Sequence, residues 1–433
     1  MQLRMVGAVA LAVLGFAAPV SAAPSPAQPF ATVPCPPSVG AGVDCFSGRD
    51  GNGAWVLAAV PRVWNGTLVV HAHGGPSLGV PKPEESVEDL DRFAVMVRSG
   101  YAWVGSSYRR GGYGVRMAAA DTDAARQLFW ERFGRPKRTI LHGQSYGGNV
   151  AAKLAETGAL DDEGRVIYDG VLITDGVLAG GTRAYQFRAD LRAVYQFYCR
   201  NHPRTDEPQY PVWQGLPAGA TMTAADLRAR IDSCTGVERP TGQRTPQQAA
   251  ALRNILAATG IAEKQLVRHM TWATFTMQDL VMKRLDGRNP FDNVRRRFQG
   301  TGDDMALNVG VVRFSADPAA VARLSYDAEL SGRIVVPTLT LKAIGDPVIS
   351  YTQDLDYGTV VAAAGRTDLL RQVFTDEPDH SRMSDAHYMT ALTALEAWIA
   401  SGSAPNAADI ATRCRDLSAL GPCRLLPQAP GLP

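Results

Sequence analysis

The chain has 433 residues, of which 45% are hydrophobic and 20% are charged. That length and apolar content can bury a large core, so a disordered chain, a collagen-like rod and a miniature protein dependent on disulfides are excluded. The 44 Lys and Arg residues nearly balance the 42 Asp and Glu residues, for a formal net charge of +2. Without a clustered basic face, we expect no nucleic-acid partner.

Residues 1–22 have the pattern of a secretory signal peptide. Arg4 supplies a positive charge, an apolar run covers residues 6–16, and Val20-Ser21-Ala22 places small side chains where a signal peptidase cleaves. The alternative is an N-terminal anchor that is retained. The run is too short for a membrane span, and no later stretch approaches 18 uninterrupted apolar residues, so we expect no stable membrane insertion. The pattern therefore predicts a secreted or periplasmic protein.

Six cysteines form an even set, which in an oxidising compartment favours disulfides. Six cysteines permit 15 connectivities, and the sequence cannot choose among them rigorously. No CxxC motif is present, so we expect no metal site at the cysteines. Proximity in the chain suggests the pairs Cys35–Cys45, Cys199–Cys234 and Cys414–Cys423.

After a linker or extension over residues 23–45, short apolar runs alternate with segments of helical spacing. The runs predict strands over residues 67–71, 101–105, 139–142 and 170–174, and the spacing between them predicts helices over residues 84–99, 118–133 and 149–156. Strands that alternate with helices at this spacing indicate an α/β fold with a mostly parallel, doubly wound sheet.

The alternation breaks at residue 178 and resumes after residue 310. The interruption is rich in Ala, Arg, Gln and Leu and predicts a mainly helical insertion, with helices near residues 223–231, 245–258 and 262–284. Strands over residues 337–341 and 370–375 and helices over residues 354–364 and 384–400 follow. The predicted organisation is a first core part (residues 46–177), the insertion (178–310), a second core part (311–401) and a C-terminal tail (402–433).

The strongest chemical signal is Gly143-Gln144-Ser145-Tyr146-Gly147, between a predicted strand and a predicted helix. A serine hydroxyl is a poor nucleophile and must be held exposed beside a base. A sharp strand-to-helix turn does this, but it crowds the backbone, so glycines are needed two positions away on either side. The pattern predicts Ser145 as a nucleophile, and the alternative is a structural glycine-rich turn.

A serine nucleophile also needs donors for the oxyanion of its tetrahedral intermediate. His73-Gly74-Gly75-Pro76 follows an earlier strand, and we predict the amides of Gly75 and Tyr146 as the two donors. The alternative for this loop is an ordinary Gly-Pro turn. His71 and His73 could instead form a metal-binding pair, but no carboxylate follows them at close spacing, so we expect no metal and no cofactor.

The base must be a histidine that follows the serine in the chain and lies near a strand end. His380 and His387 are the candidates downstream of the insertion. His380 lies in a loop after the last predicted strand, whereas His387 falls inside the final helix. Loop placement favours His380.

An acid must orient this histidine. Asp346 follows the penultimate predicted strand, and Asp175 ends the core strand before it. The chain order Ser, Asp, His favours Asp346, and Asp175 stays open as the alternative.

On these residues the chain resembles a secreted α/β-hydrolase, over residues 46–174 and 333–400. The resemblance implies a triad of Ser145, Asp346 and His380, an oxyanion hole at Gly75 and Tyr146, and a helical lid at the insertion. The HGGP stretch is similar to that of the proline iminopeptidase and tripeptidyl-aminopeptidase branch. The chain departs from the usual pattern at Ser77, where that branch commonly has a further glycine, and at Gln144, where many esterases have His or Asp.

The sequence therefore predicts a secreted serine hydrolase that cleaves carboxylic esters through an acyl-enzyme intermediate. An aminopeptidase with the same triad is the alternative, and Asp279, Asp286 and Glu263 in the insertion would be available to bind a free amine. A catalytically inactive binding module is the third hypothesis. The expected substrate is a small ester or a short peptide, and the oligomeric state stays open.

Overall fold

In a computed structural model, which describes residues 28–426, a ten-stranded sheet forms the centre of the molecule. Along the sheet the strands lie in the order β1-β2-β3-β5-β4-β6-β7-β8-β9-β10. The strands are β1 (Gln28–Val33), β2 (Val43–Arg49), β3 (Trp55–Pro61), β4 (Thr67–Ala72), β5 (Ala102–Ser106), β6 (Arg138–Gln144), β7 (Gly170–Thr174), β8 (Thr338–Ala343), β9 (Leu370–Thr375) and β10 (Leu425–Leu426).

The middle of the sheet is parallel and its margins are antiparallel. β4 pairs in parallel with β5 and β6, and the parallel pairing continues through β7, β8 and β9. β1, β2 and β3 form an antiparallel meander whose last strand pairs with β5, and β10 pairs antiparallel with β9. This mostly parallel sheet, with a serine turn between a strand end and a helix, is an α/β-hydrolase fold, so the predicted fold class is confirmed.

Helices connect the strands. They are α1 (Pro83–Arg92), α2 (Ala94–Arg98), α3 (Val115–Phe133), α4 (Tyr146–Thr157), α5 (Gly180–Cys199), α6 (Ala224–Thr235), α7 (Pro246–Thr259), α8 (Leu266–Thr271), α9 (Asp304–Gly310), α10 (Pro318–Ala328), α11 (Thr352–Ala363), α12 (Asp385–Ser401) and α13 (Ala407–Asp416). The single helix predicted over residues 84–99 is interrupted at Phe93, which leaves the helical region with φ −107° and ψ 20°.

Both faces of the sheet are covered. Leu68 and Val70 on β4 pack into one apolar cluster with α3 and α4, whereas Val69 between them packs into a second cluster with α1, α2 and α12. Alternate side chains of a strand point to opposite faces, so this strand is apolar throughout. The parallel crossovers therefore bury β4 on both sides and fix where its carboxyl end lies.

The chain between β7 and β8 is mainly helical and contains α5 to α10. The helix predicted over residues 262–284 is observed as α8 followed by two π-helical segments, Trp272–Thr276 and Asp279–Arg284. Apolar side chains of the insertion, such as Leu227, Ile231 and Met270, are buried in a cluster shared with the sheet. The insertion thus packs on the core instead of standing apart from it.

The three predicted disulfide pairs are confirmed, as Cys35–Cys45, Cys199–Cys234 and Cys414–Cys423. The second one joins the last residue of α5 to α6. Within residues 28–426, no helix combines the length and the apolar character needed to cross a lipid bilayer. The predicted signal peptide over residues 1–22 lies outside the described residues.

Candidate active site

Ser145 occupies the single position between β6 and α4. Its backbone has φ +59° and ψ −123°, a conformation that non-glycine residues rarely adopt and that marks functional turns. A methyl group on Gly143 would collide with the carbonyl oxygen of Gly147, and one on Gly147 would collide with the carbonyl oxygen of Ala72. The flanking glycines of the motif are therefore required by the tightness of this turn, as the sequence pattern predicts.

Ser145, His380 and Asp346 lie in one line of hydrogen bonds. The Nε2 atom of His380 lies 2.9 Å from the Oγ atom of Ser145, and its Nδ1 atom lies 2.8 Å from the Oδ2 atom of Asp346. His380 comes from the loop between β9 and α12, and Asp346 from the loop after β8. With the ring proton on Nδ1 donated to Asp346, Nε2 is free to accept the serine proton.

Asp346 is held as an ionised acceptor. Its Oδ1 atom accepts the backbone amides of Val348 and Ile349 at 2.7 and 3.0 Å, and its Oδ2 atom accepts His380 and the ammonium of Lys342, the latter at 2.6 Å. Burial by itself would raise the pKa of Asp346, but Lys342 and the hydrogen bond from His380 outweigh it and hold the pKa well below its usual range.

Asp175, the alternative acid, contacts the backbone instead of the imidazole. Its Oδ2 atom accepts the amide of Ser381 and its Oδ1 atom accepts the amide of Ala343, both at 2.9 Å. Burial raises the pKa of Asp175 above its usual range, and the ammonium of Lys342 opposes this shift. Asp175 therefore fixes the residue that follows His380, whereas Asp346 bonds to the ring.

His387, the alternative base, lies in the first turns of α12 and is fully buried. Its Nδ1 atom lies 3.0 Å from the hydroxyl of Ser384, and its Nε2 atom lies 3.2 Å from the hydroxyl of Thr375. The same Nε2 atom accepts the amide of Arg424 at 3.0 Å. These bonds tie the C-terminal segment to the sheet and leave no ring nitrogen for Ser145.

Lys342 is the residue of this site that the sequence analysis missed. It is fully buried on β8, with its Nζ atom 2.6 Å from Asp346 and 3.6 Å from Asp175. Burial would lower the pKa of Lys342, but the two carboxylates outweigh it and raise the pKa. The carboxylates of Asp175 and Asp346 and the ring of His380 lie close enough together to serve as metal ligands. The ammonium of Lys342, however, already supplies a positive charge beside these carboxylates.

A third carboxylate, Asp354 at the start of α11, also faces Lys342. Among the described residues, neither of its carboxyl oxygens has a hydrogen-bond partner. Burial raises the pKa of Asp354 to about 7, although the charge of Lys342 opposes the shift. The acids around Lys342 therefore differ in the direction of their pKa shifts, which is downward for Asp346 and upward for Asp175 and Asp354.

The HGGP loop passes close to Ser145. A methyl group on Gly74 would lie 3.9 Å from the Cβ atom of Ser145, so Gly74 lies beside the serine turn. Gly75 has φ +119°, a conformation that favours glycine. Tyr146 is the first residue of α4, and among the hydrogen bonds of residues 28–426 its amide has no acceptor. Tyr146 therefore follows the serine directly in the chain, and Gly75 follows the glycine that lies beside the serine turn.

His73 anchors this loop to α1. Its Nδ1 atom lies 2.6 Å from the Oδ2 atom of Asp89, and its carbonyl oxygen accepts the hydroxyl of Tyr108 at 2.8 Å. Burial opposes protonation of His73, but Asp89 outweighs it and raises the pKa of the imidazole. His71, the other member of the possible metal pair, has its Nδ1 atom 2.9 Å from the Nδ1 atom of His142 and its Nε2 atom 3.4 Å from the same Oδ2 atom of Asp89.

Gln144 connects α1 to the His380 loop. Its Oε1 atom accepts Arg92 at 3.0 Å, and its Nε2 atom donates to the hydroxyl of Ser381 and lies 3.4 Å from the Nε2 atom of His380. The residue that departs from the common esterase pattern therefore contributes to the position of the histidine loop.

No protein-family model matches the chain, and no curated protein matches it. Among solved structures, the chain is similar to an esterase from Aspergillus oryzae, with 13% identity, a TM-score of 0.45, and coverage of 88% of this chain and 87% of that one. It is also similar to the rice cell wall degrading esterase LipA from Xanthomonas oryzae (14% identity, TM-score 0.42, coverage 83% and 89%) and to a membrane phospholipase A described as a bacterial virulence factor (15% identity, TM-score 0.39, coverage 82% and 87%). Similarity this weak carries no information about substrate.

Proposed function

We propose that the protein is a serine hydrolase that cleaves carboxylic esters through an acyl-enzyme intermediate. The observation that carries this proposal is the line of hydrogen bonds from Ser145 through His380 to Asp346, with contacts of 2.9 and 2.8 Å. Such a line, which ends at a strained serine turn, is the arrangement that acyl transfer needs.

In the first half of the reaction, the Nε2 atom of His380 takes the proton of Ser145 as Oγ attacks the substrate carbonyl carbon. Asp346 stays ionised and stabilises the imidazolium. The amides of Gly75 and Tyr146 donate to the oxyanion, and the N-terminal end of α4 adds a favourable field. His380 then gives its proton to the leaving alcohol. In the second half, the Nε2 atom of His380 takes a proton from water as the water attacks the acyl carbonyl carbon, and it returns that proton to the Oγ atom of Ser145 as the carboxylic acid leaves. The mechanism assigns no step to a metal or cofactor.

The charges of the insertion favour an ester substrate over a peptide with a free amine. The three carboxylates that an aminopeptidase could use are already paired with cations. Asp279 pairs with Arg284 at 3.3 Å, Asp286 pairs with Arg323 at 2.6 Å, and Glu263 pairs with Arg244. An incoming ammonium group would have to displace these partners.

We further propose that residues 178–310 act as a lid and that the protein works outside the cytoplasm, secreted or in the periplasm. The position of α5 to α9, inserted after β7 on the side of the sheet where the strands end, supports the lid. Three disulfides support an oxidising compartment.

The test is Ser145→Ala. We expect the turnover of short 4-nitrophenyl esters to fall by about 10⁴-fold or more, with an unchanged circular-dichroism spectrum. A fluorophosphonate probe should label the wild-type protein at Ser145 and should not label the variant. The matched control is Ser403→Ala, an exposed serine beyond α12, which should behave as the wild type.

Three outcomes would contradict the proposal. Undiminished turnover in Ser145→Ala would reject the mechanism. Absence of both labelling and turnover in the wild type would favour an inactive binding module. Faster cleavage of aminoacyl 4-nitroanilides than of 4-nitrophenyl esters would favour the aminopeptidase.

A further inference from the structure

The position of the leaving alcohol follows from the histidine geometry. In a serine hydrolase the same imidazole nitrogen accepts the serine proton and then protonates the leaving oxygen. That oxygen must therefore lie within hydrogen-bond reach of the Nε2 atom of His380, on the side of Ser145 away from the oxyanion donors. The space that borders His380 is where the alcohol part of an ester is accommodated.

Two cavities border His380. One has a volume of about 260 Å³ and is lined by Lys264 and Arg268 of the insertion and by Arg382 and Asp379 of the histidine loop. The other has a volume of about 450 Å³ and lies on the α1 side, where Arg382 is joined by Arg92 and Asp91. Cations outnumber carboxylates in both cavities.

These cations have no carboxylate partners. In the part of the chain that the structure describes, no Asp or Glu oxygen lies within 4.0 Å of the charged nitrogens of Arg92, Lys264, Arg268 or Arg382. Arginines elsewhere are commonly paired, as in Arg98 with Asp385 at 2.6 Å. Of the two carboxylates, Asp91 is bonded to the hydroxyl of Ser38 at 2.5 Å.

The arrangement of these cations suits an anion. Arg92 is held in place by its hydrogen bond to Gln144, beside the serine turn. Arg268 and Lys264 come from the insertion and Arg382 from the core, so positive groups approach His380 from both parts of the molecule. A cleft lined by charges of one sign attracts and orients ligands of the opposite sign.

We propose that the preferred substrates are esters whose alcohol part carries a negative charge, such as a carboxylate or a phosphate. This inference rests on the proposed esterase function and adds its substrate class. Arg268, Arg382, Lys264 and Arg92 recognise the anion, and the acyl part lies on the opposite side of Ser145.

The experiment compares 4-acetoxybenzoate with 4-acetoxybenzamide, which share the acetyl group and the phenol ring. We expect kcat/KM to be about tenfold higher for the anionic ester at low salt. Because exposed cations are screened by salt, the preference should shrink to about twofold or less in 0.5 M NaCl. Equal rates for the two esters at low salt would overturn the inference.

The variant Arg268→Gln/Arg382→Gln should reduce the preference to about twofold, and Arg268→Glu/Arg382→Glu should invert it. The matched control is Arg366→Gln, an exposed arginine just before β9, at the opposite edge of the sheet, which should keep the wild-type preference. A preference that survives the charge-reversing pair would show that these cations do not recognise the anion.

A second substrate pair tests the side on which the charge is recognised. The 4-nitrophenyl monoester of glutaric acid carries its charge on the acyl part, and 4-nitrophenyl butyrate is neutral. We expect the charged acyl part to give no gain in kcat/KM. A tenfold gain for the glutaric monoester would overturn the placement of the anion on the alcohol side. Turnover of 4-nitrophenyl acetate is measured first, because its absence rejects the esterase itself, whereas turnover without charge preference rejects only this inference.

Discussion

The loops after the buried parallel strands β7 and β8 each carry an aspartate, yet the two carboxylates differ in what they contact. Asp346 bonds the imidazole of His380, and Asp175 bonds the backbone amide of Ser381 next to it. Both face Lys342, which shifts the pKa of Asp346 far down while burial keeps that of Asp175 raised. One loop supplies an ionised group to the ring, and the other holds the segment that carries the ring. Aspartates that follow neighbouring strands thus have different roles.

The largest expected effect separates these roles directly. Asp346→Asn removes the charge that orients and stabilises the imidazolium, so we expect kcat to fall by about 10⁴-fold with little change in KM. Steady-state kinetics on 4-nitrophenyl acetate measures this. Asp368→Asn, at an exposed position before β9, removes the same charge and serves as the matched control. A loss below tenfold in Asp346→Asn would remove Asp346 from the triad.

A smaller loss is expected for Asp175→Asn. Asparagine tolerates the left-handed backbone of this position (φ +46°), but it keeps only one acceptor for the two amides. We expect kcat to fall by about 10²-fold, since a displaced His380 loop impairs proton transfer. If Asp175→Asn abolished activity as fully as Asp346→Asn, Asp175 would have to be the triad acid.

The smallest expected effect is a change in the free energy of unfolding, and it concerns Asp354. The pKa of Asp354 is raised from 3.8 to about 7, so between these values the folded state holds a proton that the unfolded chain has lost. The free energy of unfolding of the wild type therefore falls as the pH rises through this range, relative to Asp354→Asn. We expect the free energy of unfolding of Asp354→Asn, relative to that of the wild type, to rise by about 2 kcal/mol when the pH is raised from about 5 to about 8.

Urea unfolding at both pH values measures this difference. Asp356→Asn is the matched control, because Asp356 lies on the same helix and pairs with Arg183 at 2.9 Å. A gap between Asp354→Asn and the wild type that stays constant with pH would show that Asp354 is ionised in the folded state throughout.

Much of the central sheet could be predicted from the sequence. The strands predicted over residues 170–174 and 370–375 coincide with β7 and β9, because buried parallel strands appear as short apolar runs bounded by turn residues. The marginal strands β2 and β3 and the long helix α5 were missed. In α5 the buried face carries Arg188 and Arg192, which hide the apolar spacing on which helix prediction depends.

The candidate site was also only partly predictable from the sequence. Ser145 and His380 could be proposed because each lies in a loop at a strand end, where chain order and glycine spacing carry information. The choice between Asp175 and Asp346 was left open, because both follow strands and only the contact with the ring differs. Lys342 was missed because a lysine within a strand is expected at the surface. The two aspartates that follow β7 and β8, with a third at the start of α11, were the signal that a buried cation could be among them.

Two of the three disulfides of residues 28–426 lie at the margins of the sheet. Cys35–Cys45 fastens the chain beyond β1 to β2, and Cys414–Cys423 fastens α13 to the segment that leads into the two-residue strand β10. Unpaired strand edges are templates for intermolecular pairing. Production in a reducing host would therefore loosen both borders and lower the yield of monodisperse protein, while the molecules that do fold would keep their specific activity.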